Sequence, residues 1–279
     1  MTIRGPLWVY QPLLARYLYR RDFVTSTTTT TTTAFTRSSL NDIRHKLKPE
    51  LTVHPSDLPG HTISISGRGP REAAVLIPLM NIDARPHILM EVRASELRTH
   101  AGEVSFPGGK VDSTDTSLTQ AALREAFEEL ALPTDRVEIL GMLDCPEYSL
   151  GNKARVWPIV GFLHSQSPAT TTSILPSGNL ASLQIRELVA SPDEVSAILP
   201  LPLSALTDPA RQSLHFFRMD SRKPYFKIKV DDLVHQPSSD RISQQQQDLE
   251  IWGLSGWFLN RLAWKLGWMD QPAIPDSEE

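Results

Sequence analysis

The chain has 279 residues, with 28 basic and 32 acidic side chains, a formal net charge of −4, 22 prolines, 14 glycines and one cysteine. That length excludes a mini-protein, while a lone Cys145 excludes an internal disulfide or a Cys-rich zinc site and fits a reducing compartment. The mild negative balance offers nucleic acid and anionic lipid no global attraction. The longest apolar candidate, 251–266, contains Asn260, Arg261 and Lys265 and falls short of the roughly 20 apolar residues of a membrane span.

Residues 1–40 differ from the rest. Arg4, Arg16, Arg20, Arg21 and Arg37 stand against the single acid Asp22, beside an unbroken threonine run at 27–33. Arg-rich, hydroxyl-rich and acid-poor is the composition of a mitochondrial transit peptide, and a polar low-complexity tail is the alternative. The terminal residues 276–279, Asp-Ser-Glu-Glu, are not a Ser-Lys-Leu type address, so mitochondria are the expected location, with peroxisome and cytosol as alternatives. Either reading sets 1–40 apart from a folded domain at 41–270 and a tail at 271–279.

Strand patterns begin at 73–77 and 87–92, separated by a turn containing Asp83 and Pro86. A Gly-Gly turn at Gly108 and Gly109 then leads through a polar loop into a helical pattern over 118–132, which Pro133 stops. Further strand-like runs at 137–143 and 155–163 flank a loop. An insertion at 165–182, rich in Ser, Thr and Pro, reads as a mobile surface loop. A run at 198–203, hairpin strands within 216–230 and a terminal helix over 249–266 complete the chain, and no repeat of fixed period occurs.

The strongest chemical signal lies on the first long helix. At about 100° per residue, Glu125 and Glu129 share a stripe with Glu128 beside them, while Leu123, Ala126, Phe127 and Leu130 fall on the opposite arc. Carboxylates three or four apart repel by a few tenths of a kcal/mol per pair. A divalent cation relieves this, and Mg²⁺ takes oxygen ligands shared between one or two carboxylates and substrate phosphates. A bare acidic pattern of this kind is as readily a solvated helix face, so the surroundings must decide.

Gly109, Asp115, Arg124, Glu125, Glu128 and Glu129 together resemble the signature of the Nudix hydrolases, Gly-x5-Glu-x7-Arg-Glu-x2-Glu-Glu-x-Gly, over 109–132. Asp115 stands where the signature has glutamate, one extra residue precedes Arg124, and Ala131 replaces the last glycine, which disfavours a left-handed helix cap by about 1 kcal/mol. Upstream, Arg93-Ala94, Arg98, Gly102 and Phe106-Pro107-Gly108-Gly109 are similar in spacing to the motif of the coenzyme A diphosphatases within that family. Leu89-Met90-Glu91 occupies the place of its Leu-Leu-Thr.

The resemblance implies an α/β fold, an α/β/α sandwich around a mixed β-sheet. It also implies hydrolysis of coenzyme A or acyl-coenzyme A to 3′,5′-ADP and 4′-phosphopantetheine or its acyl form, with Mg²⁺ or Mn²⁺. Glu125, Glu128 and Glu129 with the Gly108 carbonyl are the expected metal ligands. Arg124 orients the carboxylates. Arg93 and Arg98 are phosphate clamps, since a guanidinium matches phosphate oxygens in a two-pronged geometry, and Gly102 and Phe106 complete the substrate side. Glu125, Glu128, Glu147 and Glu194 are open candidates for the general base. Hydrolysis of another nucleoside diphosphate derivative, or a non-catalytic binding module, are the competing functions. Trp252, Trp257 and Trp264 read as core packing of the terminal helix.

Overall fold

The computed structural model describes residues 33–49, 71–143, 145–150, 154–169, 174–234 and 248–272. The arginines and threonines before residue 33, and residues 244–247, lie outside them. In chain order the elements are α1 (Arg37–Lys46), β1 (Arg71–Ile82), β2 (Arg85–Arg93), β3 (Val104–Ser105), β4 (Gly108–Lys110), α2 (Leu118–Leu130), β5 (Val137–Met142), β6 (Glu147–Tyr148), β7 (Ala154–Leu163), β8 (Val195–Pro202), β9 (Gln212–Phe216), β10 (Pro224–Lys229), β11 (Glu250–Ile251) and α3 (Gly253–Leu266).

A mixed sheet runs β3-β2-β1-β7-β5, with β8 added to β2, β4 to β1 and β6 to β7. β1 and β7 are parallel, with Leu76 opposite Ile159, and the other pairings are antiparallel. The β1–β2 hairpin turns on Asp83 and Ala84, both at positive φ, which matches the twist of the flanking strands. Pro86 lies within β2 rather than in the turn.

From Ala73 to Met80, β1 is apolar without a break because it is covered on both sides. Ala74, Leu76 and Met80 join α2 in one core, while Ala73, Ile77 and Leu79 join α1, α3 and the small sheet β11-β10-β9 in the other. Burying a leucine or isoleucine of this kind stabilises the fold by roughly 1.5–3 kcal/mol. The result is the expected α/β class, with helices on both faces of a mixed sheet. Among the described residues no helix is long and apolar enough to cross a membrane.

Three expectations need correction. The folded body begins before Asn41: Thr36 and Ser39 form a capping box at the start of α1, and Phe35, Leu40 and Ile43 are buried. The insertion at 165–182 is pinned in its second half, where Leu180 is buried and donates its N–H to the Phe35 carbonyl. Asn81 at the end of β1 clasps both segments, accepting from the Phe35 N–H and donating to the carbonyls of Phe35 and Leu180. The terminal helix starts at Gly253, so Trp252 precedes it and is exposed. Trp257 stays in the core, stacked on Phe217 with ring centroids 4.9 Å apart.

Candidate active site

The site is built where β4 lies on β1 and α2 crosses both. Val75 and Ala74 of β1 pair with Gly108 and Gly109. A Cβ on Gly108, whose φ is +148°, would come within 2.4 Å of the Ala74 carbonyl oxygen, and one on Gly109 would come within 2.5 Å of the Glu125 carboxylate. The two glycines therefore serve different ends, one the close approach of two backbones and the other space for an acidic side chain.

Ser117 caps α2 by accepting the Gln120 N–H. At the other end Ala131 adopts the left-handed conformation, φ 50° and ψ 33°, so the cap geometry persists without glycine. The buried stripe of α2 includes Leu118, Ala121, Ala122, Ala126 and Leu130, and it takes in Glu129. Phe127, expected on the apolar arc, is exposed.

Asp115, buried at the end of the preceding loop, accepts from Arg124 Nε at 3.1 Å and Nη2 at 3.0 Å. Nη2 also donates to the Lys110 carbonyl, and Nη1 donates to Glu125 at 3.1 Å and Glu128 at 3.0 Å. The guanidinium is thus a bracket between loop and helix, and its hydrogen bonds to Asp115 raise its pKa above the usual value. Asp115 fills the place of the signature's glutamate with a shorter side chain. Glu128 is half exposed, yet it shares the Arg124 Nη1 with Glu125, while Glu129 lies buried beyond them.

Glu129 is buried, and its Oε2 accepts the Gly108 N–H at 2.7 Å. The Gly108 amide thus joins β4 to the acidic helix. Burial pushes the Glu129 carboxyl up, with the charge of Glu91 adding to it, and burial likewise raises Glu125.

Glu91, on β2, is the residue that sequence reasoning left without a role. It is fully buried opposite Ser105 of β3, whose hydroxyl donates to Oε1 at 3.2 Å, and among the described residues Oε2 has no hydrogen-bond partner. The Arg93 guanidinium lies 3.8 Å from Glu91 Oε1 and 3.6 Å from Glu129 Oε1. Burial raises the Glu91 carboxyl as well. The signal available in the sequence was an acid inside an otherwise apolar strand, at 91 between Met90 and Val92.

The remaining predicted residues divide. Arg93 and Phe106 line a cavity of about 470 Å³ that has Gly108 and Gly109 on one wall. Arg98 is exposed in the loop after β2 and is not part of that lining, and Gly102 closes the loop by donating its N–H to the Arg93 carbonyl. Arg93 and Arg98 are therefore not a matched clamp. Glu147 is drawn away to Trp257 Nε1 at 3.1 Å and Arg261 at 3.7 Å. Glu194 is held near the site, its carbonyl accepting the Ala94 N–H and its charge acting on Glu91 and Glu125.

Among the described residues no three His, Cys, Asp or Glu side chains are already gathered as a chelating group. The donor set nonetheless fits a hard divalent cation. Glu125 and Glu129 offer carboxylate oxygens beside the glycine turn, and Glu91 Oε2 is a buried carboxyl oxygen without a hydrogen-bond donor among the described residues.

An acidic helix is thus bracketed by arginine and laid against a Gly-Gly strand. The NUDIX domain profile matches residues 70–209. The chain is 34% identical over 198 residues to Nudix hydrolase NudL of Escherichia coli O7:K1, covering 71% of this chain and 83% of NudL, and NudL of Shigella boydii serotype 18 matches to the same extent. Among solved structures, the Nudix hydrolase RenU of M. smegmatis superposes with a TM-score of 0.36 at 17% identity, over 50% of this chain and 74% of RenU. The chain belongs to the Nudix hydrolase family, enzymes that generally use divalent metals such as Mg²⁺ or Mn²⁺.

Proposed function

We propose that the protein hydrolyses the diphosphate of coenzyme A and its acyl derivatives to 3′,5′-ADP and 4′-phosphopantetheine or acyl-phosphopantetheine, using Mg²⁺ or Mn²⁺. The observation that carries this reading is the composition of the cavity reached by the Arg93 to Gly109 motif. Arg93 and the glycine turn line it together with the apolar Phe106, Phe217, Phe258, Leu150, Met219 and Trp252. An anionic diphosphate carrying a long, weakly polar arm suits such a chamber.

Glu125 and Glu129 hold the cation, which when bound neutralises phosphoryl charge and lowers the pKa of water. Arg124 holds Glu125 and Glu128 in place. Arg93 meets the diphosphate where it borders the cavity, and exposed Arg98 reads the 3′-phosphate. Removal of the proton from the attacking water falls to Glu125, Glu128 or Glu194, the candidates near the cluster. The acidic body gives nucleic acid no role as partner. The arginine-rich stretch ahead of the folded body, residues 1–32, acts as a mitochondrial address, which imaging of the full chain beside one lacking that stretch tests; identical distributions retire that idea.

Turnover of coenzyme A, acyl-coenzyme A, nucleotide sugars and nucleoside triphosphates with Mg²⁺ tests the substrate. The highest kcat/KM is expected for a coenzyme A species. An equal or higher value for a nucleotide sugar overturns the substrate and leaves the hydrolase class intact.

A further inference from the structure

Leu89, Glu91 and Arg93 alternate on β2 with Ile88, Met90 and Val92, which belong to the core on the α1 and α3 side. Glu91 therefore faces α2, where Glu129 lies. At this position the coenzyme A diphosphatase motif has threonine, a neutral side chain that a sheet accommodates without charge. A carboxylate there is costly to bury unless a cation or several donors meet it.

The donors present do not suffice. Glu91 Oε1 receives one hydroxyl, from Ser105, and Oε2 receives nothing. Arg93 lies beyond hydrogen-bond distance from both Glu91 and Glu129, at 3.8 and 3.6 Å, and one guanidinium faces two buried carboxylates. Glu129 already spends Oε2 on Gly108, which leaves its Oε1 and both Glu91 oxygens short of positive charge.

We propose that Glu91 is a metal ligand, forming with Glu129 a two-carboxylate seat for Mg²⁺ or Mn²⁺ between β2 and α2. This rests on the metal-dependent reading of the site. It adds to the helix-borne ligands one from the sheet, and it explains how a strand tolerates a fully buried acid. Hard divalent cations accept such oxygen donors and complete their shell with water and substrate phosphate.

The test is Mn²⁺ binding to full-length protein stripped of metal with EDTA, followed by electron paramagnetic resonance, for the wild type, E91Q and E91T, with thermal melts with and without Mn²⁺. E91Q and E91T are expected to weaken Mn²⁺ binding by roughly ten- to a hundredfold and to shrink the Mn²⁺-induced rise in Tm. The metal-free Tm is expected to hold or rise, because a buried charge has been removed. Mn²⁺ affinity within twofold of wild type in either folded variant overturns the role of Glu91 alone, as does a lower metal-free Tm with an unchanged Mn²⁺ response. A wild type that binds no Mn²⁺ overturns the metal reading of the whole site.

Discussion

Glu129 and Gly108 meet through one hydrogen bond, from the glycine amide to the carboxylate Oε2 at 2.7 Å, and this bond ties the acidic helix to the strand that borders the cavity. Glu129→Gln keeps an acceptor for Gly108 and removes only the charge. Metal-dependent turnover should fall by roughly a hundred- to a thousandfold, with the fold retained by circular dichroism. Steady-state kinetics across a Mg²⁺ titration measures this.

The two glycines should separate stability from activity. Gly108→Ala forces a Cβ onto the Ala74 backbone at a φ of +148°, and is expected to cost about 2 kcal/mol or more in urea unfolding. Gly109→Ala meets the Glu125 carboxylate first, a side chain that can swing aside. It should lower kcat at least tenfold through displacement of Glu125, at a stability cost of about 1 kcal/mol.

Away from the site, Glu138 on β5 accepts from His164 at 2.6 Å, Arg37 at 2.6 Å and Arg44 at 2.7 Å, joining α1 to the sheet. The His164 hydrogen bond, with help from the arginines, holds its carboxyl down to about 2. A depressed carboxylate stabilises the fold above its unfolded value, near 4.5, and this contribution disappears as pH falls toward 2. Glu138→Gln should cost about 1–3 kcal/mol at neutral pH and flatten the decline of stability between pH 4.5 and 2, read from urea midpoints across pH.

Ala131 holds a left-handed conformation that glycine adopts freely. Ala131→Gly should therefore raise stability by about 0.5–1 kcal/mol without changing kcat, the gain being limited by the larger entropy of glycine in the unfolded chain. Differential scanning calorimetry gives the answer directly.

The helix bearing the acidic cluster was legible because its period, its Ser117 cap and its stop before Pro133 all agree. The burial of individual side chains on it was not. Phe127 and Glu129 exchange the places their polarity suggests, because the sheet meets a narrow stripe of α2 and the glycine turn draws Glu129 inward. The same limit applies to Phe35 and Leu40, whose burial depends on Asn81 and Leu180, far along the chain and hidden by a neighbouring threonine run. Spacing alone could not show that the loop after β2 leaves Arg98 exposed while Arg93 turns toward Glu91 and Glu129. Glu91 was visible as a departure from a motif, and its meaning came only from the packing of β2 beneath α2.

Cleavage of the coenzyme A diphosphate at this site, as proposed, is open to direct measurement. Mass spectrometry of the products formed from coenzyme A with Mg²⁺, beside an EDTA-treated sample and Glu129→Gln, tests it most directly. The account predicts 3′,5′-ADP and 4′-phosphopantetheine in equal amounts, lost with EDTA and in the variant. Intact coenzyme A, under conditions where the same preparation hydrolyses a nucleotide sugar or a nucleoside triphosphate, would contradict it.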